Sequence, residues 1–236
     1  MKVNKAKVTF SSIVSIGEEV NRLEKENGEK YLKLHRGVMD VTHLNMDSSI
    51  YKAQQSGQID QYGPNDGLPY LLEFINEGYP DNVRSLITPG GMAALDLVIE
   101  SLDHKTFYVP NLHWGSWNKI LTTHDKEIKT YDDFNLSNFR PRSGVVMLCV
   151  PSNPTGYMAS DKEIEDFLNY TSNNNIVVIL DLPYWDLLCE EGKYKRFISE
   201  NVIIVSSYSK SLGLSGYRVG SVSTLSDELY LSLIHI

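Results

Sequence analysis

Three continuous apolar runs, each ending abruptly on polar residues, constrain this chain more than any other feature. They are Val145-Val146-Met147-Leu148-Cys149-Val150, Ile176-Val177-Val178-Ile179-Leu180 and Val202-Ile203-Ile204-Val205. None alternates apolar with polar, so none suits a strand with one face in water. Runs this rich in β-branched residues fit strands covered on both faces, the condition of a parallel sheet inside an α/β domain. Past their ends lie Pro151-Ser152-Asn153-Pro154-Thr155-Gly156, Asp181-Leu182-Pro183-Tyr184 and Ser206-Ser207-Tyr208-Ser209-Lys210. Open α/β sheets bind ligands at the carboxyl ends of their strands. Polar residues recurring there are hard to explain by packing.

The third of these ends carries the most chemistry. A serine-rich turn holds Lys210, and a glycine-punctuated loop, Leu212-Gly213-Leu214-Ser215-Gly216-Tyr217, leads to Arg218. A lysine amine loses its proton readily when desolvated or set beside another cation. Placed among hydroxyls and within reach of an arginine, it suits an amine that forms an imine next to a bound phosphate. Pyridoxal phosphate chemistry needs all of these groups at once. A fourth segment, Leu86-Ile87-Thr88-Pro89-Gly90-Gly91-Met92-Ala93-Ala94-Leu95, is a glycine turn opening an apolar helical run. A helix start of that kind receives phosphate on its free amides.

From about Tyr62 to its end the chain resembles the class I/II aminotransferases, the fold-type I pyridoxal-phosphate enzymes. The resemblance rests on four ordered motifs whose spacing is similar to the family's. It implies that Lys210 is the Schiff-base lysine, with Ser207, Ser209 and Arg218 on the phosphate side. Asn153, in Asn-Pro-Thr-Gly, matches the asparagine that hydrogen-bonds the cofactor's phenolic oxygen, and Tyr184 matches the tyrosine donating to the same oxygen. Asp181 matches the carboxylate facing the pyridine nitrogen. Gly91 and Met92 match the helix start at the phosphate. Trp114 matches the ring stacked on the cofactor, although Trp117, one helical turn on, competes for that place. Tyr62 matches the tyrosine that reaches the phosphate of a neighbouring subunit, which implies a homodimer.

Those assignments make physical sense. An ionised Asp181 would keep the pyridine nitrogen protonated, so the ring accepts electrons from the substrate's α-carbon. Lys210, once displaced by substrate, would move the α-proton as general acid–base. Arg218 offers a fork of donors to phosphate, and an indole face at Trp114 suits a pyridinium ring. His113 reads as a supporting or surface residue, since the lysine already fills the base's role.

The resemblance implies an α/β architecture: a three-layer fold-type I large domain with a mostly parallel sheet, plus part of a small N-terminal region. Residues 1–61 read as an N-terminal arm and part of a small domain, and residues 62–236 as the cofactor-binding large domain. Ile13, Ile16, Val20 and Leu23 predict an amphipathic helix before Asn27-Gly28, and the stretch from Lys33 to Gln61 reads as irregular and polar. Ser160-Asp161-Lys162-Glu163 is a capping box that opens a helix with Ile164, Phe167 and Leu168 on one face, stopped at Asn173-Asn174-Asn175.

Composition agrees with this reading. A chain of 236 residues with 42% hydrophobic content can bury a substantial core. Twenty-two Lys+Arg against 30 Asp+Glu, a net charge of −8, argues against a general nucleic-acid partner. Cys149 and Cys189 are far apart with no Cys-x-x-Cys and read as reduced core thiols of a cytoplasmic protein, and the six histidines lack metal-ligand spacing. Residues 1–10 lack a long apolar segment, so neither a signal peptide nor a membrane span is expected.

The expected function is transfer of an amino group between an amino acid and a 2-oxo acid. The same scaffold also supports lyases and synthases, such as a C–S β-lyase or a cyclopropane-forming, ACC-synthase-like enzyme. An oxoamine synthase usually carries His where this chain has Tyr184, and a cofactor-sensing regulator would need a DNA-binding domain ahead of Tyr62. Three departures from the family stand out. Met92 replaces a hydroxyl residue, Pro183 stands where a small residue is usual, and the family continues well beyond Arg218 with the arginine that binds the substrate's α-carboxylate. Leu231-Ser232-Leu233-Ile234-His235-Ile236 does not look like the family and resembles translated sequencing adapter, so a truncated and inactive fragment is the expectation for the 236 residues alone.

Overall fold

The computed structural model describes residues 12–33, 37, 46–57, 61–188 and 193–236. Two helices come first, α1 (Ser12–Asn27) and α2 (Met46–Gln55). The body then runs α3 (Pro69–Asn76), β1 (Arg84–Thr88), α4 (Gly91–Ser101), β2 (Thr106–Pro110), α5 (Gly115–Thr123), β3 (Glu127–Tyr131) and β4 (Val145–Cys149). It continues with α6 (Asp161–Asn173), β5 (Val177–Asp181), β6 (Val202–Ser207), the single turn α7 (Tyr208–Ser211), β7 (Gly220–Thr224) and α8 (Asp227–His235). Three short 3-10 segments lie at Asp133–Asn138, Trp185–Leu188 and Lys193–Phe197.

The seven strands form one sheet in the order β1-β7-β6-β5-β4-β2-β3. β2 to β6 pair in parallel, while β7 runs antiparallel to both β6 and β1. Two reversals cancel, so β1 points the same way as β6. Six strands therefore deliver their carboxyl ends, β1 to β6, to one edge of the sheet. That edge carries every strand-end motif named above.

Side chains alternate between the two faces, and both faces are covered, which is why the runs read as continuously apolar. Val145, Met147, Ile179, Ile203 and Val205 pack under α4, α5 and α8, with Leu95, Ile99, Trp117, Leu121 and Leu233. Val146, Leu148, Val178, Leu180 and Ile204 face the other way, onto Ile164, Phe167 and Leu168 of α6 and onto Trp185, Tyr194 and Phe197. The result is a three-layer α/β sandwich.

α6 forms as its capping box predicts: Ser160 Oγ accepts from the Glu163 N–H, and the Glu163 carboxylate accepts from the Ser160 N–H. Its three named apolar residues are buried, and Asn175 takes a left-handed φ of 54° just past its end. α1 covers its predicted span, with Arg22 bridging Glu19 and Glu26 on its surface. One expectation needs correcting: the stretch from Lys33 to Gln61 is not wholly irregular, because α2 lies within it. Its last turn, Lys52-Ala53-Gln54-Gln55, is made of good helix formers, but Met46, Ile50 and Ala53 alone make too short an apolar stripe to announce it. Leu231 to His235 complete α8, and Leu233 is buried in the core. Cys149 is a free, buried thiol, and Cys189 lies outside the described residues. Among the described residues, no helix is long and apolar enough to cross a membrane.

Candidate functional site

Alternation along β5 decides where Asp181 points. Ile179 faces the α4–α5 layer and Leu180 the α6 layer, so the Asp181 side chain turns toward α4 and α5. There it is buried, and its Oδ2 accepts a hydrogen bond from the indole Nε1–H of Trp117, on α5, at 3.0 Å. Trp117 is fully buried. Burial pushes the Asp181 carboxyl up from 3.8 to about 7, and the Trp117 hydrogen bond only partly opposes it. Sequence reasoning weighed Trp117 only as a cofactor neighbour. Its true partner was detectable in principle, because a buried indole N–H requires an acceptor.

The neighbouring strand ends supply the next pair. Cys149, last in β4, lies opposite Asp181 in the ladder. Four residues on, the Asn153 amide donates to the Tyr184 hydroxyl at 2.9 Å. Burial and the nearby Cys149 and Asp181 raise the Tyr184 phenol to about 12, so it stays protonated at neutral pH. The peptide bonds before Pro151 and Pro154 are both cis.

Lys210 sits in α7, directly after β6, and its Nζ donates to the Gly37 carbonyl at 2.6 Å. Gly37 thus brings the N-terminal region to the lysine, a contact that no motif announced. Arg218 adopts a left-handed φ of 57°. Its guanidinium donates to Ser215 O at 2.8 Å, to Ser209 Oγ at 3.4 Å and to Pro89 O at 3.4 Å. Arg218 and Ser209 therefore meet beside the start of α4. Ser207, by the same alternation as Asp181, lies against Gly91, where a Cβ would come within 2.8 Å of the Ser207 Cβ.

The approach of β7 to α4 is closer still. A Cβ on Gly220 would lie 2.6 Å from the Gly91 nitrogen and 2.9 Å from the Ser206 carbonyl oxygen. Both are backbone atoms and cannot swing aside. Gly220→Ala should therefore displace the start of α4 and destabilise the fold by about 1–3 kcal/mol. Denaturant unfolding tests this, and an unchanged midpoint would show that the contact is not tight.

The remaining sequence-predicted residues are less enclosed. Met92, in the first turn of α4, is exposed. Trp114 is half-buried, precedes α5 as its N-cap and packs against the α4–α5 core. Both ring nitrogens of His113 are engaged, Nδ1 with Pro110 O at 2.6 Å and Nε2 with Asn118 Oδ1 at 2.9 Å, and its ring stacks on Trp117. Tyr62 is fully exposed and is not brought to the other residues within the protomer. Its loop is nonetheless tied down: Asp66 O accepts from the Ile87 N–H at 2.8 Å, and Asp66 Oδ2 from the Tyr230 hydroxyl at 2.9 Å.

The sequence profile described as aminotransferase class I and II matches residues 29–235. The chain belongs to that family. Among its curated relatives, a histidinol-phosphate aminotransferase of Methanocaldococcus jannaschii is 32% identical over 182 residues, covering 69% of this chain and 47% of the relative. A probable aspartate aminotransferase of the same organism is 24% identical over 187 residues, covering 71% of this chain and 50% of the relative. The chain thus spans about half the length of these relatives. Two solved structures share its fold. One, an aminotransferase from Mycobacterium tuberculosis, superposes with a TM-score of 0.83 at 19% identity, covering 100% of this chain and 66% of the other. The other, an aspartate aminotransferase from Thermus thermophilus with maleate, gives 0.81 at 18%, covering 100% and 68%. Members of the family depend on pyridoxal 5′-phosphate.

Proposed function

We propose that the full-length protein is a pyridoxal-phosphate-dependent aminotransferase acting on an amino acid and a 2-oxo acid, with the site at the carboxyl edge of the sheet. The observation that carries this reading is Asp181, a buried carboxylate pushed up to about 7 with the Trp117 N–H too weak to offset its burial. Such a group suits a cationic N–H from a ligand, which would restore its charge. The other donors fit the same molecule. Arg218, Ser209, Ser207 and the amides at Gly91 and Met92 suit its phosphate, Asn153 and Tyr184 suit its phenolic oxygen, and Trp114 offers a ring face. Glycines at 90, 91 and 220 keep the backbone close where bulk would intrude.

When bound, pyridoxal phosphate supplies an aldehyde carbon and a ring that takes up the electron pair of the substrate's α-C–H bond. The chain's own residues do the rest. Lys210 Nζ would hold the cofactor at its aldehyde carbon and, when free, would carry the substrate's α-proton. Asp181 would hold a proton at the ring nitrogen, while Asn153 and Tyr184 would orient the ring through its phenolic oxygen. We assign residues 62–236 to the cofactor-binding domain and residues 1–61 to an arm and part of a small domain, with Gly37 marking where that part meets Lys210. The exposed Tyr62, held on an anchored loop, suits a contact with a second subunit, so we propose a homodimer, and a cytoplasmic one.

A lyase on the same residues would release ammonia, whereas a transaminase conserves nitrogen. Full-length protein given 2-oxoglutarate with aspartate or histidinol phosphate, the amino donors suggested by its relatives' names, should form glutamate and the matching carbonyl product in equal amounts. Free ammonia in place of glutamate would overturn the reading in favour of a lyase.

A further inference from the structure

Asp133 is a buried carboxylate that the reading above leaves unused. It is 4% exposed and begins the 3-10 segment that follows β3. Its Oδ2 accepts a hydrogen bond from Ser152 Oγ at 2.9 Å, and Ser152 is itself buried. The backbone of Ser152 is held as well: its N–H donates to Tyr157 O at 2.8 Å and its carbonyl accepts from the Gly156 N–H at 2.8 Å. On the flanks, the Tyr131 hydroxyl donates to Met147 O at 2.9 Å, and the Phe134 ring packs on Tyr157 with centroids 4.8 Å apart. The Asp133 segment thus holds the turn after β4 by the Ser152 side chain, while the turn's own Gly156 and Tyr157 hold the Ser152 backbone.

The next residue is Asn153, whose amide meets the Tyr184 hydroxyl. A short turn needs no buried carboxylate for stability alone, because a carboxyl group is costly to desolvate and apolar packing would serve as well. Accepting from Ser152 makes sense if the direction of Asn153 matters. We infer that Asp133 is a positioning residue: through Ser152 it fixes the backbone of Asn153, so that the Asn153 amide and Tyr184 phenol remain a preset pair of donors. This inference rests on the proposed role of that pair at the cofactor's phenolic oxygen.

The test uses full-length protein loaded with pyridoxal phosphate and compares Ser152→Ala, Asp133→Ala, the double variant and Asn153→Ala. The readout is the pH midpoint of the bound cofactor's visible absorbance, which donors to an ionised oxygen hold down. Ser152→Ala and Asp133→Ala should each raise it by up to about one pH unit, the size one weakened hydrogen bond supports. The double variant should go no further, because both changes cut one link. A lowered melting temperature with an unmoved midpoint would make Asp133 merely structural and overturn the inference, as would additive shifts in the double variant. Ser152→Ala removes a single oxygen, so it carries the test even if Asp133→Ala does not fold. A shift in Asn153→Ala with none in Ser152→Ala sinks this inference alone. No shift in Asn153→Ala sinks the role of the donor pair, and the inference with it.

Discussion

Lys210→Ala in the full-length protein should lower turnover by at least ~10⁴-fold, the upper range for losing a positioned acid–base group, because the covalent attachment is lost with it. Pyridoxal phosphate should still bind, more weakly, since Arg218, Ser209 and the start of α4 do not depend on the lysine. Borohydride reduction of the parent protein, followed by peptide mapping, should place the label on Lys210 and on no other lysine. Geometry singles this residue out. It follows β6 directly, in the turn Tyr208–Ser211, on the strand next to the one that ends at Asp181. Its amine donates to the Gly37 carbonyl at 2.6 Å. Label on a different lysine, or near-parent turnover in the variant, would remove the assignment.

The parts of this site that could be read in the chain were those written locally. Val145 to Val150, Ile176 to Leu180 and Val202 to Val205 announced strands covered on both faces, and the residues just past them had to share one edge if the strands were parallel. Ser160 to Glu163 likewise contained its whole cap within four residues. Contacts made across the sheet were not legible in this way. Trp117 and Asp181 lie 64 residues apart, and only the strand order β5-β4-β2 brings α5 over the end of β5. The Asp133–Ser152 pair also depends on folding a loop from one layer onto the turn of another. β7 was harder still, because Gly220-Ser221-Val222-Ser223-Thr224 carries one strongly apolar residue. Its serines are nonetheless buried, and Ser223 shares a hydrogen bond of 2.8 Å with Ser85 across the ladder to β1. α2 escaped because its apolar positions, Met46, Ile50 and Ala53, are too few over ten residues to betray its period.

Asp181→Asn should produce two effects of opposite sign. In the loaded full-length protein it removes the group proposed to hold a proton at the ring nitrogen, and removal of the substrate's α-proton should slow about a thousandfold, the equivalent of roughly 4 kcal/mol. Without cofactor the same change should stabilise the fold, and the pH dependence gives the sign. Unfolded, the Asp181 carboxyl ionises near 3.8, whereas in the fold burial raises it to about 7. Between those values the folded chain keeps a proton that the unfolded chain has released, so this group's contribution to stability falls as pH rises through the window and is lowest above 7. The full span corresponds to roughly 4 kcal/mol. Asparagine carries no charge to bury and still offers an oxygen to Trp117, so the gain should be large at pH 8 and absent at pH 4. Urea unfolding of the cofactor-free protein at both pH values measures it. Equal midpoints for parent and variant at pH 8 would mean that the chain already compensates the charge of Asp181, and the main support for a cationic ligand at that carboxylate would be gone. Stabilisation at pH 8 joined to slow proton removal would instead tie both to one cause: a carboxylate whose burial costs the empty fold stability because it is kept for a ligand that supplies the missing charge.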